Sequence, residues 1–215
     1  MAELIQLNSR EEWLEARKGI GGSDAASIVG MNPWRDNVEL WEEKTGRRQQ
    51  EDISDKPAVK YGTEAEKHLR ELFRLDNPQY KVDYIENNMW INKDMPWAHA
   101  SLDGWLTDQD GRKGILEIKT TTIQRGSQKE KWQDQIPQNY YIQLLHYFLV
   151  TGFDFAILKA QLKFELDEGL YIQTKQYKIE RAEVEPDLDF LLESEKEFAE
   201  LIKQDKRPAL ILPEV

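Results

Sequence analysis

Cysteine is absent from all 215 residues. That excludes disulfides, iron–sulfur clusters and thiolate zinc sites, and a cytoplasmic home is expected. Histidine occurs only three times, at 68, 99 and 146, with no metal-ligand spacing, so each is read as structural. No apolar run reaches the ~18 residues that would cross a membrane, so no membrane contact is expected. The first residues, Met1-Ala2-Glu3-Leu4-Ile5, lack a basic stretch followed by an apolar one, so no secretory leader is expected. Positive charge is scarce: 29 Lys and Arg stand against 40 Asp and Glu, a net −11. A surface that coats nucleic acid throughout is therefore disfavoured, because such binding rests on Lys and Arg neutralising phosphates. A local basic groove in an acidic shell remains compatible with it.

What is present is enough apolar residue, 40%, for a sizeable core, and the length suits one domain spanning 1–215. Ser9-Arg10-Glu11-Glu12 reads as a capping box opening a helix to about Arg17. A glycine-rich loop, Gly19-Ile20-Gly21-Gly22-Ser23-Asp24, leads into a short helix ending near Gly30. Asn37 opens a helix through Lys44, stopped by Gly46. Residues 47–57 are polar and read as a loop. A long helix runs from Ala58 or Thr63 to Leu75, with Ala65, Leu69, Leu72 and Phe73 on one side. Strands are expected over 80–86, 89–92, 98–106 and 114–120. Residues 124–138 read as irregular or partly helical, 138–151 as a helix, 155–165 and 170–179 as a hairpin, and 186 or 187 to 206 as a last helix. The expected fold class is α/β (α+β), a central mixed sheet flanked by helices.

The chemistry concentrates in residues 101–119. Along the second strand Leu116 and Ile118 take one face, Glu117 and Lys119 the other. Glu117 and Lys119 then lie roughly 6.5 to 7 Å apart at Cα. Asp110-Gly111 is a strong hairpin signal, and a hairpin brings Asp103 back toward Glu117. Two carboxylates suit a hard divalent cation such as Mg²⁺ or Mn²⁺, and Lys119 suits the stabilisation of developing negative charge. Taken alone, a solvated Glu–Lys pair beside a turn Asp looks the same.

Three further groups qualify. Glu64 opens the long helix, where a bland capping acid would also sit; it is the candidate third carboxylate, with a second metal about 3.5 to 4 Å from the first as one reading. Gln143 and Tyr147, four apart, share a helix face, and a Gln on so apolar a helix must find a partner. Arg17, Ser23 and Ser101 form a candidate phosphate clamp with the glycine-rich loop. Trp34, Trp90, Trp97, Trp105 and Trp132 carry flat faces on which bases stack, although tryptophan is mostly buried by default.

The ordered set Gly62-Thr63-Glu64, Asp103-Gly104, Glu117-Ile118-Lys119 and Gln143-Leu144-Leu145-His146-Tyr147 resembles the PD-(D/E)xK nuclease superfamily, in its RecB-type branch. With Trp13-Leu14-Glu15-Ala16-Arg17-Lys18-Gly19-Ile20-Gly21-Gly22-Ser23 it resembles the lambda-exonuclease and YqaJ-like viral recombinase family, over about residues 10–180. The resemblance implies a restriction-endonuclease-like core and a Mg²⁺-dependent 5′-to-3′ exonuclease on the ends of linear double-stranded DNA. It implies release of 5′-mononucleotides, a 3′ overhang for a single-strand annealing protein, a homotrimeric ring, and the cytoplasm of a bacterial host if the chain is phage-encoded. Residue by residue, it implies that Asp103, Glu117, Glu64 and the Ile118 carbonyl hold the metal, that Lys119 is catalytic and Gln143 supports the site. It implies that Arg17, Ser23 and Ser101 take a terminal 5′-phosphate. Leu102 stands where the signature has proline. Other readings are a PD-(D/E)xK endonuclease and a non-catalytic DNA-binding or assembly module that keeps the fold. The Cas4-like branch, which holds a cluster by cysteines, is disfavoured.

Overall fold

The computed structural model describes residues 2–166 and 169–212, with nothing said of the Leu166 side chain. In chain order the elements are β1 (Ala2–Gln6), α1 (Arg10–Ala16), α2 (Gly22–Ile28), α3 (Asn37–Lys44), α4 (Pro57–Asp76) and β2 (Lys81–Asp83). Then come β3 (Asn88–Asn92), β4 (His99–Ala100), β5 (Gly104–Thr107) and β6 (Lys113–Ile123). The chain closes with α5 (Gly126–Glu130), α6 (Gln138–Thr151), β7 (Phe155–Leu166), β8 (Gly169–Glu180), a 3-10 turn at Arg181–Glu183 and α7 (Glu185–Lys203).

A five-stranded sheet of order β2-β5-β6-β7-β8 carries the fold. It is mixed: β6 and β7 are parallel, the other pairs antiparallel. A parallel pair needs a crossover, and α5 and α6 supply it. A second sheet, β1-β3-β4, is antiparallel. The expected α/β architecture, a central mixed sheet flanked by helices, is what is found.

Alternation along β6 decides what each face buries. Leu116 and Ile118 join Leu69 and Phe73 of α4, with Phe155 and Ile157 of β7. Ile115 joins Leu144, Leu145 and Phe148 of α6. α4 starts well because Pro57 occupies its first turn, where a missing N–H costs nothing. Ala65, Leu69 and Phe73 form its inner stripe; Leu72, expected beside them, is 49% exposed. α6 is apolar nearly all round and is buried accordingly.

Two expectations change. The first residues form β1 against β3, which no local signal gave, because five residues acquire strand geometry only from a distant partner. The strand expected over 98–106 is two strands of different sheets, β4 and β5, with Ser101–Asp103 as the break. Side chains satisfy the backbone there. Asn88 Oδ1 accepts the Leu102 N–H at 2.9 Å and Asn88 Nδ2 donates to the Leu102 carbonyl at 3.0 Å. The Arg70 guanidinium donates to the Asp103 carbonyl.

Candidate active site

The β5–β6 hairpin has the register Gly104↔Leu116, and Gly111 in its turn adopts φ +81°, which favours glycine. Asp103 is thereby returned to Glu117. Its Oδ2 accepts the Ile118 N–H at 2.8 Å. Glu117 is 2% exposed. Lys119 Nζ is 2.6 Å from Glu117 Oε1, and Gln143 Nε2 donates to the same oxygen at 2.9 Å. Gln143 Nε2 also donates to the Tyr147 hydroxyl at 2.7 Å. So Glu117, Lys119, Gln143 and Tyr147 meet on the α6 face of β6. Lys119 further lies 4.9 Å from the centre of the Tyr140 ring.

Glu64 is not brought to this cluster. It is exposed and absent from the cleft wall, and Glu66 stands on that wall instead. The reason is helical phase. Glu66, Leu69, Arg70 and Phe73 form one stripe, and Leu69 and Phe73 are buried under the sheet. Glu64 shares its stripe with His68 and Glu71, which are exposed. The apolar period of α4 was the signal that could have chosen between the two acids. Arg70, also missed, is 5% exposed and donates to Glu66 Oε1 at 2.8 Å as well as to Asp103.

Three carboxylates thus crowd two cations. Burial, then the charge of Asp103, pushes Glu66 up to about 7, against Arg70 and Lys119. Burial, then Glu117, raises Asp103. Burial raises Glu117 too, against Lys119. Burial would lower Lys119, but Glu117 and Asp103 outweigh it and hold the ammonium above its usual range. Glu117 Oε2 is buried and has no hydrogen-bond partner among the described residues. An oxygen-rich site short of positive charge, with an unpartnered buried carboxylate oxygen, fits a hard divalent cation. Asp103 and Glu117 are the carboxylates that could hold it, and Glu66 stands on the same cleft wall. Among the described residues no group of three His, Cys, Asp or Glu side chains is placed to hold a metal ion.

The cluster forms part of the wall of a cleft of about 1560 Å³, which Arg17, Ser23 and Ser101 also line. Arg17 lies 4.2 Å from the centre of the Trp13 ring, and Trp13 Nε1 donates to Ser101 Oγ at 3.0 Å. Ser23 is exposed on α2. The glycines beside it serve packing as well: a Cβ on Gly22 would lie 2.5 Å from the Tyr147 ring. Arg10, Arg17 and Lys67 bring positive charge to the cleft wall of a chain whose net charge is −11.

Behind the cleft lies a polar network that sequence reading did not find. Asp24 is paired with Arg35 and Lys44, each at 2.7 Å. Burial would raise its carboxyl, but the two cations outweigh it and hold it well below the usual range. His146 is fully buried between Glu195 (2.6 Å) and the His99 carbonyl (2.9 Å). His146 is thus held inside the protein on both ring nitrogens, the His99 side chain lines the cleft, and His68 is exposed.

The YqaJ-like viral recombinase domain matches residues 12–154. The uncharacterized protein YqaJ of Bacillus subtilis (strain 168) is 34% identical over 173 residues, 76% of this chain and 51% of that one. The chain belongs to the YqaJ-like viral recombinase family. It spans about half the length of this curated relative.

Solved structures share the fold. The alkaline exonuclease of Laribacter hongkongensis matches with a TM-score of 0.58 at 21% identity, covering 91% of this chain and 97% of that one. The same enzyme in complex with dAMP matches at 0.57 and 20%, with the same coverage. A phage related exonuclease from Haemophilus somnus 129PT matches at 0.52 and 14%, covering 87% and 96%. The architecture of this family member is thus the fold that these solved structures share. No helix among the described residues is long and apolar enough to cross a membrane.

Proposed function

We propose that this chain is a Mg²⁺-dependent exonuclease that digests one strand of linear double-stranded DNA from the 5′ end. It releases 5′-mononucleotides and leaves 3′ overhangs. The observation that carries the reading is the buried, unpartnered Oε2 of Glu117 beside Asp103, with the Lys119 ammonium held 2.6 Å from Oε1. Asp103 and Glu117, with the Ile118 carbonyl, would hold the metal, and Glu66 takes the part first expected of Glu64. A divalent cation held there would supply Lewis-acid polarisation of a phosphodiester and a more acidic bound water.

The chain's own groups do the rest. Gln143, aligned by Tyr147, fixes the carboxylate of Glu117 for its task. Lys119 stays protonated and stabilises negative charge as it develops on the phosphoryl oxygens. Ser101 Oγ accepts from Trp13, so its own proton is free for a phosphate oxygen. Arg17, stacked on Trp13, adds a charge-assisted bond, and Ser23 a hydroxyl. Membership of the family and the likeness to exonucleases, one of them holding dAMP, support DNA as substrate. A single domain over 1–215, a homotrimeric ring around DNA, a single-strand annealing partner and a cytoplasmic site of action belong to the same proposal.

Linear duplex carrying 5′-phosphate or 5′-hydroxyl ends, with Mg²⁺ or EDTA, tests it. Mononucleotides should appear from the phosphorylated end with metal only. Glu117→Ala and Lys119→Ala should abolish release while folding survives; full activity in either sinks the site assignment. Digestion of covalently closed circles would turn the reading toward an endonuclease. Calorimetry that finds no Mg²⁺ or Mn²⁺ binding would turn it toward a non-catalytic module.

A further inference from the structure

Of the seven tryptophans, Trp41, Trp105 and Trp132 are buried, and Trp13, Trp90 and Trp97 are half-buried. Trp34 is 73% exposed. The turn that carries it is held by side chains. The Trp34 backbone N–H donates to Asn32 Oδ1 at 2.9 Å, and Asn32 Nδ2 donates to Ser27 Oγ at 3.0 Å. Next to it, Arg35 donates to Ser27 Oγ (3.2 Å), the Ser23 carbonyl (3.3 Å), Asp24 Oδ1 (2.7 Å) and Glu43 Oε2 (2.7 Å). The turn that carries Trp34 is thus bound to α2, the helix of Ser23.

Trp34 lies on the wall of the cleft and also on that of a side trough of about 400 Å³, which shares Trp34, Glu51 and Ile53 with it. The trough's arginines are already used: Arg35 is paired with Glu43 and Arg48 with Glu39. Among the described residues it offers a phosphate no unpaired cation. What it shares with the cleft is a flat, exposed indole on a fixed turn.

We propose that Trp34 is a stacking platform for an unpaired base of the DNA end, where the trough opens off the cleft. The proposal rests on the DNA-end reading above. Stacking of this kind tolerates any sequence, since every base has a π-face.

The test uses the full chain and labelled duplexes with a short single-stranded tail, either base-bearing or abasic, with Ca²⁺ in place of Mg²⁺. Fluorescence anisotropy gives the affinities, and light scattering gives the mass. The wild type should prefer the base-bearing tail by about tenfold. Trp34→Ala should lose that preference and bind both tails as the wild type binds the abasic one. Trp34→Phe should keep most of it, and the melting temperature should stay unchanged. A preference that survives in Trp34→Ala overturns the proposal, as does an equal loss on both tails. A drop in molecular mass in Trp34→Ala also overturns it and assigns the indole to a contact between copies. If the wild type binds neither duplex, the DNA reading itself falls and this inference with it.

Discussion

Replacing Glu66 by Gln should stabilise the metal-free protein at alkaline pH and cripple it as a metal site. Glu66 is 29% exposed at its side chain and carries a carboxyl pushed up to about 7 from an ordinary 4.5, by burial first and then by Asp103. A carboxyl raised on folding binds its proton more tightly in the native state. Its stability contribution is therefore complete below about pH 4.5 and is lost as pH rises through about 7. The difference between 4.5 and about 7, at about 1.4 kcal/mol per pH unit, sets a ceiling of about 3 kcal/mol. Gln keeps an amide oxygen that accepts from Arg70 as the protonated acid does, and the shift already includes the Arg70 pairing. The gain at pH 8 is up to about 3 kcal/mol, or roughly 6 to 12 °C for a chain of this size. Thermal melts in EDTA at pH 5 and pH 8 check it. Glu66→Gln should melt with the wild type at pH 5 and above it at pH 8, while Glu64→Gln follows the wild type at both. Added Mg²⁺ should raise the wild type more than Glu66→Gln. A Glu66→Gln variant that melts below the wild type at pH 8 without metal refutes the crowding of carboxylates described here.

Gln143→Leu should leave the fold intact but cut nucleotide release by at least tenfold, because Glu117 Oε1 keeps only Lys119 and the carboxylate loses its alignment; circular dichroism alongside the assay separates the two effects. Gly22→Ala places a methyl 2.5 Å from the Tyr147 ring and should cost about 1 to 3 kcal/mol in urea unfolding. His146→Leu strands the fully buried Glu195 carboxylate and should cost about 3 to 5 kcal/mol; the double variant with Glu195→Leu should recover part of that, and no recovery would argue that packing rather than pairing holds this spot.

Much of the site was legible along the chain because its parts obey local periods. The period of two on β6 separates Glu117 and Lys119 from Leu116 and Ile118, and Asp110-Gly111 returns Asp103 to them. Gln143 and Tyr147 share a face because they are four apart on a helix. Glu66 was legible too: it lies in phase with Leu69 and Phe73 on α4, and Glu64 does not. The strand break at 101–103 left no such trace. It depends on Asn88 and Arg70, which come from other elements.

By itself, then, the order of residues determined the helices and most strands, the β5–β6 hairpin, the α6 face and the identity of most acids in the cluster, since each follows from spacing within one segment. The tertiary structure decided which acid of α4 reaches the cleft, that Arg70 braces it, that β4 and β5 belong to different sheets, and that Asp24 and His146 are held by partners far away in sequence. It also left Trp34 exposed while it covered the other six indoles at least in part. Those outcomes depend on which surfaces meet, and burial, not spacing, selects among residues of the same type.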